Sequence, residues 1–581
     1  MRSEKPLYQM NLKSMMTFLT TRVRLGGWLW VLLAGLSVGV THGQWQSTSY
    51  TLKGGWNAIY LHGDASYAPP ATLFASYPAV LEVWRWNTNP TQVQFMTTPL
   101  IPSAGTAEWT VWKRDGSVSA LSQMVGQSAY LVKCSGTTSN SYTVSIPQKV
   151  VPPSAAWVRN GANLMGFPSK LGGAYPTLGS YFATFPAAIA ANTKIYKYVG
   201  GDLGAANPLQ VFSPTSEKLD RNQAYWFSSQ VVGNFYAPVE LGLSNLSGLE
   251  FGRTGAVITV RLLNRSATTS TVTIAPVASS AAPSGQESIT GSVPITRRVF
   301  TAASATWTET PISVGFTEVV GPNATVELSF GIDRGDASMT GAAANALFAS
   351  LLRFSDSAGL YDIVLPVTAR KATLAGLWVG DAIVGGVESK TAGYIGTATA
   401  QTYALRYLIH VDDDGTARLL SQVFMGNLAA APYTAGLCTQ ESGLNAADKA
   451  SARRLVCAHM PLDRVLGAGS GSFALGATLT RTIATPFNDP TSPFVHQYHP
   501  DHDNQSGSTA LVSGQESYDL SRAVTFSFAA SAPAGVSATG YGGSVIAGSY
   551  AETLSGLRKD SVTVTGTFTV RRVSEIGTLS Q

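Results

Sequence analysis

The sequence predicts a mainly β, multi-domain protein: two small repeated β-rich domains, a β-sandwich and a C-terminal antiparallel barrel. Three observations carry that expectation. Apolar and polar residues alternate with period two in many short runs, the pattern of half-buried strands. Charged residues are only 13% of the chain, and Gly, Ser, Thr and Ala take their place. That composition suits pleated surfaces and tight turns. Landmarks of residues 44–150 also recur in the same order in residues 151–245.

With 581 residues the chain has room for several domains of about 100–200 residues. Hydrophobic residues make up 45%, enough for packed cores. The formal net charge is +5, and no run of Lys or Arg is interleaved with aromatics. A nucleic-acid partner would require such a basic footprint, so none is expected.

Residues 1–43 read as a signal peptide. Lys13, Arg22 and Arg24 supply positive charge, Leu29 to Val40 an apolar core, and Thr41 and Gly43 small residues ahead of a cut before Gln44. The apolar run is shorter than a spanning helix requires, and no second stretch approaches that length. The mature chain is therefore expected outside the cytoplasm: extracellular, periplasmic or on the cell surface, with no spanning segment.

The recurring landmarks are Gly55-Trp56-Asn57-Ala58-Ile59 with Gly161-Ala162-Asn163-Leu164-Met165, and Phe74 to Ala79 with Phe182 to Ala187. Trp84-Arg85-Trp86 then matches Tyr196-Lys197-Tyr198, and Ala129-Tyr130 matches Ala224-Tyr225. In each copy an opening strand is expected. Ile59 and Leu61 lie on one face and Tyr60 and His62 on the other, the pattern of a half-buried strand. Trp84 and Trp86 share a strand face, as do Tyr196 and Tyr198. If exposed, these rings would stack on glycans; if buried, they are core.

At these landmarks the chain resembles secreted bacterial β-rich modules that open Gly-Trp-Asn and close on a strand like Gln127-Ser128-Ala129-Tyr130 or Gln223-Ala224-Tyr225-Trp226. The resemblance spans roughly the first 240 residues and implies a surface or secreted context with no defined chemistry. Ala162 stands where the module has Trp.

Residues 246–371 read as a sandwich. Ala256 to Leu263 and Thr271 to Ile274 form a hairpin about Asn264-Arg265-Ser266, and Val326, Leu328 and Phe330 share a face. This pattern is similar to immunoglobulin-like modules. A short helix is expected over Ala342 to Leu352.

Residues 372–581 read as a closed or nearly closed antiparallel barrel, interrupted by an insertion at 427–471 with a helical stretch near Ala446 to His459. Leu405, Tyr407, Ile409 and Val411 alternate before the turn Asp412-Asp413-Asp414-Gly415. Gly376-Leu377-Trp378 on the first strand and Arg572 on the last resemble the Gly-x-Trp and closing basic residue of calycin barrels. That resemblance implies that Arg572 stacks on Trp378 and shuts one end. A barrel of this kind either encloses a small apolar ligand or is filled by side chains.

One dense polar cluster stands out, Phe494 to Asn504. His496, His499, Asp501, His502 and Asp503 gather there, with Asp489 upstream. Imidazole and carboxylate together suit Zn²⁺. Asp501, Asp503 and Gln505 before Gly507 suit the start of a Ca²⁺ loop, although Val512 stands where its terminal Glu belongs. The alternative is a polar loop capping the barrel. Cys438 and Cys457 either pair as a disulfide or remain buried thiols.

Enzyme signals are poor. The one Gly-x-Ser-x-Gly, Gly35 to Gly39, lies inside the apolar leader and is no nucleophile elbow. Walker A and dinucleotide motifs are absent. Arg334-Gly335-Asp336 spells an adhesion tripeptide, but a turn accounts for it equally. The sequence favours an exported, non-enzymatic structural or binding protein whose partner is a glycan or another extracellular ligand or protein. The alternative is a metal-binding protein or metal-dependent hydrolase acting through the 496–503 loop.

Overall fold

The computed structural model describes residues 44–87, 108–159, 161–172, 174–204, 206–277, 279–389, 403–428, 435–436, 455–461, 470–485, 520–556 and 561–578. Of the described residues, 52% are strand and 5% helix, the mainly β, multi-domain architecture expected from the composition.

Two sheets come from residues 44–150. Strands Trp45–Lys53, Ser141–Val150 and Gly63–Asp64 form a three-stranded sheet, with Ser141–Val150 in the middle. Strands Gly55–Leu61, Ser128–Cys134, Val80–Trp86 and Trp109–Lys113 form a four-stranded sheet in that order. Their facing side chains, among them Tyr50, Leu52, Ile59, Leu61, Val132 and Ile146, make one core. The Gly55–Leu61 strand was expected to be half-buried, yet it is buried at every residue. Its second face, Trp56, Ala58 and Tyr60, packs on the next sheet along the chain.

That next sheet holds Leu209–Val211, Lys194–Lys197, Tyr225–Ser229 and Gly161–Met165. One face carries Ala162, Leu164, Tyr196 and Trp226 toward the first unit. The other carries Ile195, Tyr225 and Phe227 into an aromatic cluster with Trp157, Phe167, Tyr181 and Phe182. The short helix Leu178–Tyr181 supplies part of that cluster, and Thr177 caps it by accepting from Ser180 N.

The two Gly-x-Asn segments fold alike because their asparagines perform the same task. Asn57 Oδ1 accepts from Lys53 N at 2.8 Å, and its Nδ2 donates to Lys53 O at 2.8 Å and to Val132 O at 3.3 Å. Asn163 Oδ1 accepts from Val158 N at 2.8 Å, and its Nδ2 donates to Val158 O at 3.1 Å and to Phe227 O at 3.4 Å. Each buried amide thus mimics a strand partner for the chain before it and ties down the closing strand. The two Ala-Tyr closures also agree. Tyr130 Oη donates to Val125 O, and Tyr225 Oη to Lys218 O, both at 3.0 Å.

A sandwich of two five-stranded sheets follows. One runs Val239–Leu243, Val257–Asn264, Thr325–Ile332, Ile295–Thr301, Thr306–Pro311, and the other Leu249–Glu250, Asp362–Arg370, Leu347–Asp356, Ser270–Val277, Phe316–Val320. Val260, Leu262, Leu328 and Phe330 meet Val272, Ile274, Phe354 and Leu365 between them. The helix expected over Ala342 to Leu352 is not formed. Leu347–Asp356 is a central strand, paired on both edges and buried on both faces over Leu347 to Leu352. A continuous apolar run has no period by which to tell the two states apart.

The last unit is a ten-stranded sheet. Its path runs Ala435–Gly436, Ala417–Leu428, Tyr403–Val411, Gly376–Ser389, Val562–Ser574, Val545–Ser555, Leu520–Phe528, Thr478–Thr485, Ser470–Gly471, with Leu455–Pro461 paired to Ala417–Leu428. Leu455–Pro461 replaces the C-terminal part of the helix expected near Ala446 to His459. The sheet rolls on itself. Tyr407 meets Phe526, four strands away in the path, with ring centroids 5.2 Å apart. Trp378 meets Phe473 at 5.3 Å. Side chains therefore fill the described interior. Among the described residues no ladder joins the two ends of the path.

Candidate binding groove at the junction of the sheets

Strand Trp45–Lys53 lies at the edge of its sheet, and a groove runs along it between the first unit, the second unit and the sandwich. Two clefts compose this groove, of ≈ 180 Å³ and ≈ 430 Å³, and both are lined by Ser49 and Asn222. They meet where Asn222 Nδ2 donates to Ser49 O at 3.2 Å.

The floor of the smaller cleft is built from hydrogen-bonded side chains. Gln148 Oε1 accepts from Gly63 N at 2.8 Å, while its Nε2 donates to Tyr50 Oη at 2.7 Å. Tyr50 Oη donates to Tyr60 O at 3.1 Å, and burial pushes this hydroxyl's pKa well up. Gln127 Nε2 donates to His62 O at 2.5 Å. His62 Nε2 donates to Arg221 O at 2.7 Å. Burial, and then the positive charge of Arg221, hold the imidazole well below its usual range, so it is neutral at pH 7.

Among the described residues of that lining, Arg221 is the one cation and none is a carboxylate. The turn before strand Tyr225–Ser229 places it. Its Nη1 donates to Ser169 O at 2.7 Å and to Asp362 O at 2.6 Å, joining the second unit to the sandwich. Burial lowers its pKa and nearby Asp362 partly restores it. The larger cleft is of mixed charge, lined by Lys53, Lys197 and Asp220, and Lys197 pairs with Glu217 at 2.7 Å. The groove offers amides, hydroxyls and main-chain groups, which is the chemistry of binding a polar extended molecule.

The residues singled out in the sequence fall elsewhere. Trp84, Trp86, Tyr196 and Tyr198 are 4%, 9%, 8% and 3% exposed. They do not form open platforms; they are the seam between the two N-terminal units. Trp86 lies 5.0 Å from Trp226 and 5.1 Å from Trp109, and its Nε1 donates to Ala162 O at 3.1 Å. Trp226 Nε1 donates to Tyr198 Oη at 3.2 Å. Ala162, where the module resemblance implies Trp, is buried in the same cluster as Trp86.

Arg572 pairs with Trp378 across adjacent strands, its guanidinium 5.3 Å from the indole, and Nη1 donates to Thr373 O and Ala375 O. Arg334 of the adhesion-like tripeptide is 2% exposed. It donates to Arg370 O at 2.9 Å and to Phe251 O, Gly252 O and Gly255 O at 3.1 Å. Asp336 caps the short helix Ala337–Thr340. That tripeptide is therefore a buried clamp and a turn. His496, His499, Asp501, His502 and Asp503 lie outside the described residues, as does Cys438. Among the described residues no three His, Cys, Asp or Glu side chains come together as a metal cage. Cys134 is buried and unpaired, its thiol pushed up to about 12 by burial.

Sequence reasoning missed the groove. The available signal was Arg221 directly before the second closing strand, in Asp220-Arg221-Asn222-Gln223, a charged turn with Gln127 as its counterpart in the first copy.

No family model matches the chain, and no curated protein matches it. Among solved structures, the crystal structure of Pseudomonas aeruginosa CupB2 chaperone is similar over 30% of this chain and 95% of that chain, at 12% identity and a TM-score of 0.15.

Proposed function

We propose that this chain is an exported, non-enzymatic surface or extracellular binding protein, in which repeated Gly-x-Asn β modules and a sandwich form a scaffold around one polar groove. The groove carries the reading. Three β units converge on it, and the smaller of its two clefts is lined by amides, hydroxyls, the neutral His62 and the Arg221 guanidinium. The identical bonding of Asn57 and Asn163 supports two copies of one module. The four aromatic residues do not serve as ligand platforms in this reading; they weld the copies together.

In this reading cleavage removes residues 1–43 from the mature chain. Gln44 would be its first residue, and Gln44 is buried, with its Nε2 donating to Val367 O. Trp45 beside it is buried as well. The test is expression of the full chain in a bacterial host, followed by fractionation and intact-mass measurement. A product beginning near Gln44 in the periplasm or medium is expected. A cytoplasmic product that retains residues 1–43 would overturn the reading.

A further inference from the structure

We propose that the groove docks an extended segment of a partner polypeptide, which adds to strand Trp45–Lys53 as a further strand. The proposal rests on the binding-protein reading above and names its partner class.

Main-chain groups along this strand alternate in direction. Val150 N donates to Gln44 O at 2.8 Å, and the register then pairs Gln46 with Gln148, Thr48 with Ile146 and Tyr50 with Val144. Even-numbered residues therefore spend their N–H and C=O groups on the ladder inside the sheet. Those of Trp45, Ser47, Ser49, Thr51 and Lys53 turn outward. Both ends of this outward row are satisfied. Trp45 N donates to Ser279 Oγ at 3.0 Å and Trp45 O accepts from Ser280 N at 2.8 Å. At the other end Lys53 is held on both main-chain groups by Asn57 at 2.8 Å.

Between the ends, the Asn222 amide on Ser49 O is, among the described residues, the one side chain bonded to the row. The N–H and C=O of Ser47 and Thr51, and the N–H of Ser49, face the groove. Alternate residues of a strand repeat at roughly 6.8 Å, and another extended backbone presents complementary donors and acceptors at that same pitch. An open edge invites such pairing.

The surroundings suit a single strand and not a whole domain. The two clefts follow the edge over Gln46 to Lys53, walled on the far side by Arg221, Asn222 and Gln223 of the second unit. Ser47, Ser49 and Thr51 are small and exposed, so they leave the edge accessible. The smaller cleft, with Arg221 and no carboxylate, takes an acidic or amide side chain of the incoming segment. Asn222 stands in for the incoming backbone until it swings aside.

The test pans a phage-displayed random decapeptide library against the mature chain, residues 44–581. Synthetic copies of the enriched peptides are then measured on the parent and on Ser47→Pro and Thr51→Pro. Proline removes only an outward N–H at these positions, where an edge strand tolerates it. Expected are fast-exchanging Ser47, Ser49 and Thr51 amides in the free protein, slowed at least tenfold by peptide. Affinity should fall at least tenfold in each Pro variant. Peptides N-methylated at alternate amides should bind at least tenfold more weakly, an arm that holds even if a Pro variant misfolds.

Absence of enrichment, peptides that bind the Pro variants equally well, or amides already protected in the free protein would overturn the proposal. Slowing of these amides by chitohexaose and not by peptide would also overturn it, while leaving the binding-protein reading intact. A failed export result removes that reading without touching the docking measurement.

Discussion

His62 shows how one side chain couples the groove to pH. Burial and the neighbouring Arg221 charge depress its folded pKa below the unfolded value of about 6.5. The folded state therefore favours the neutral ring. That contribution is fully present above about pH 6.5 and is lost as pH falls below it, because the unfolded chain then binds the proton more readily. The melting temperature should drop between pH 7 and pH 5, and His62→Gln should flatten the drop. An unchanged slope in the variant would show that His62 is not the titrating group. Single residues are also where the sequence was most opaque. The pattern put His62 on a strand face, but its neutralising neighbour is 159 positions away, and no local period encodes that distance. Asn57 was visible as part of a motif, while its reason, a side chain that imitates a strand, required the backbone it holds.

At the scale of elements, the seam between the N-terminal units is the feature that the alternation of residues half revealed. Period two correctly put Trp84 and Trp86 on one face of a strand. It could not say whether water or another sheet covers that face, because an aromatic stripe reads the same in both cases. The covering sheet comes from residues more than 70 positions on, reached by the Trp86 to Ala162 bond. Backbone approach fixes the spacing of the seam. Gly55 has φ +84°, and a Cβ there would sit 2.3 Å from Gly201 O, so only glycine fits. Trp86→Ala should cost about 3–5 kcal/mol, the usual loss for an excised buried aromatic. It should also raise amide exchange in both four-stranded sheets. Exchange confined to the first sheet would mean that the seam does not couple them. Strand was misjudged as helix over Leu347 to Leu352 because a continuous apolar run has no period that separates the two states, even though its partner Asp362–Arg370 closes a local hairpin; over Leu455 to His459 the partner strand Ala417–Leu428 lies well back along the chain. The hairpin at Asp412 to Gly415 was legible because turn chemistry is local, with Gly415 at φ +89° and Gly415 N bonded to Asp412 O at 2.9 Å.

Over the whole molecule, buried arginines join the units. Arg221 ties the second unit to the sandwich. Arg334 is packed against Gly543 of the last unit and bonds four carbonyls of the sandwich. Burial, with Arg572 nearby, holds its pKa at about 10, so it remains charged at neutral pH. Arg334→Met would leave those carbonyls without a donor at a cost of roughly 3 kcal/mol or more. Calorimetry should then resolve separate transitions for the sandwich and the rolled sheet, and a single unaltered transition would refute the coupling. The order of synthesis meets one further constraint. Gln44 reaches Val367 and Trp45 reaches Ser279 and Ser280, so the head of the first strand, whose ladder with Ser141–Val150 can form earlier, finds these last anchors only after more than 230 further residues have appeared. Contacts so distant in sequence form slowly. A chain emerging N-terminus first therefore carries an unfinished leading strand through much of its passage, and a holdase that shields Trp45 during that interval should raise the yield of native protein.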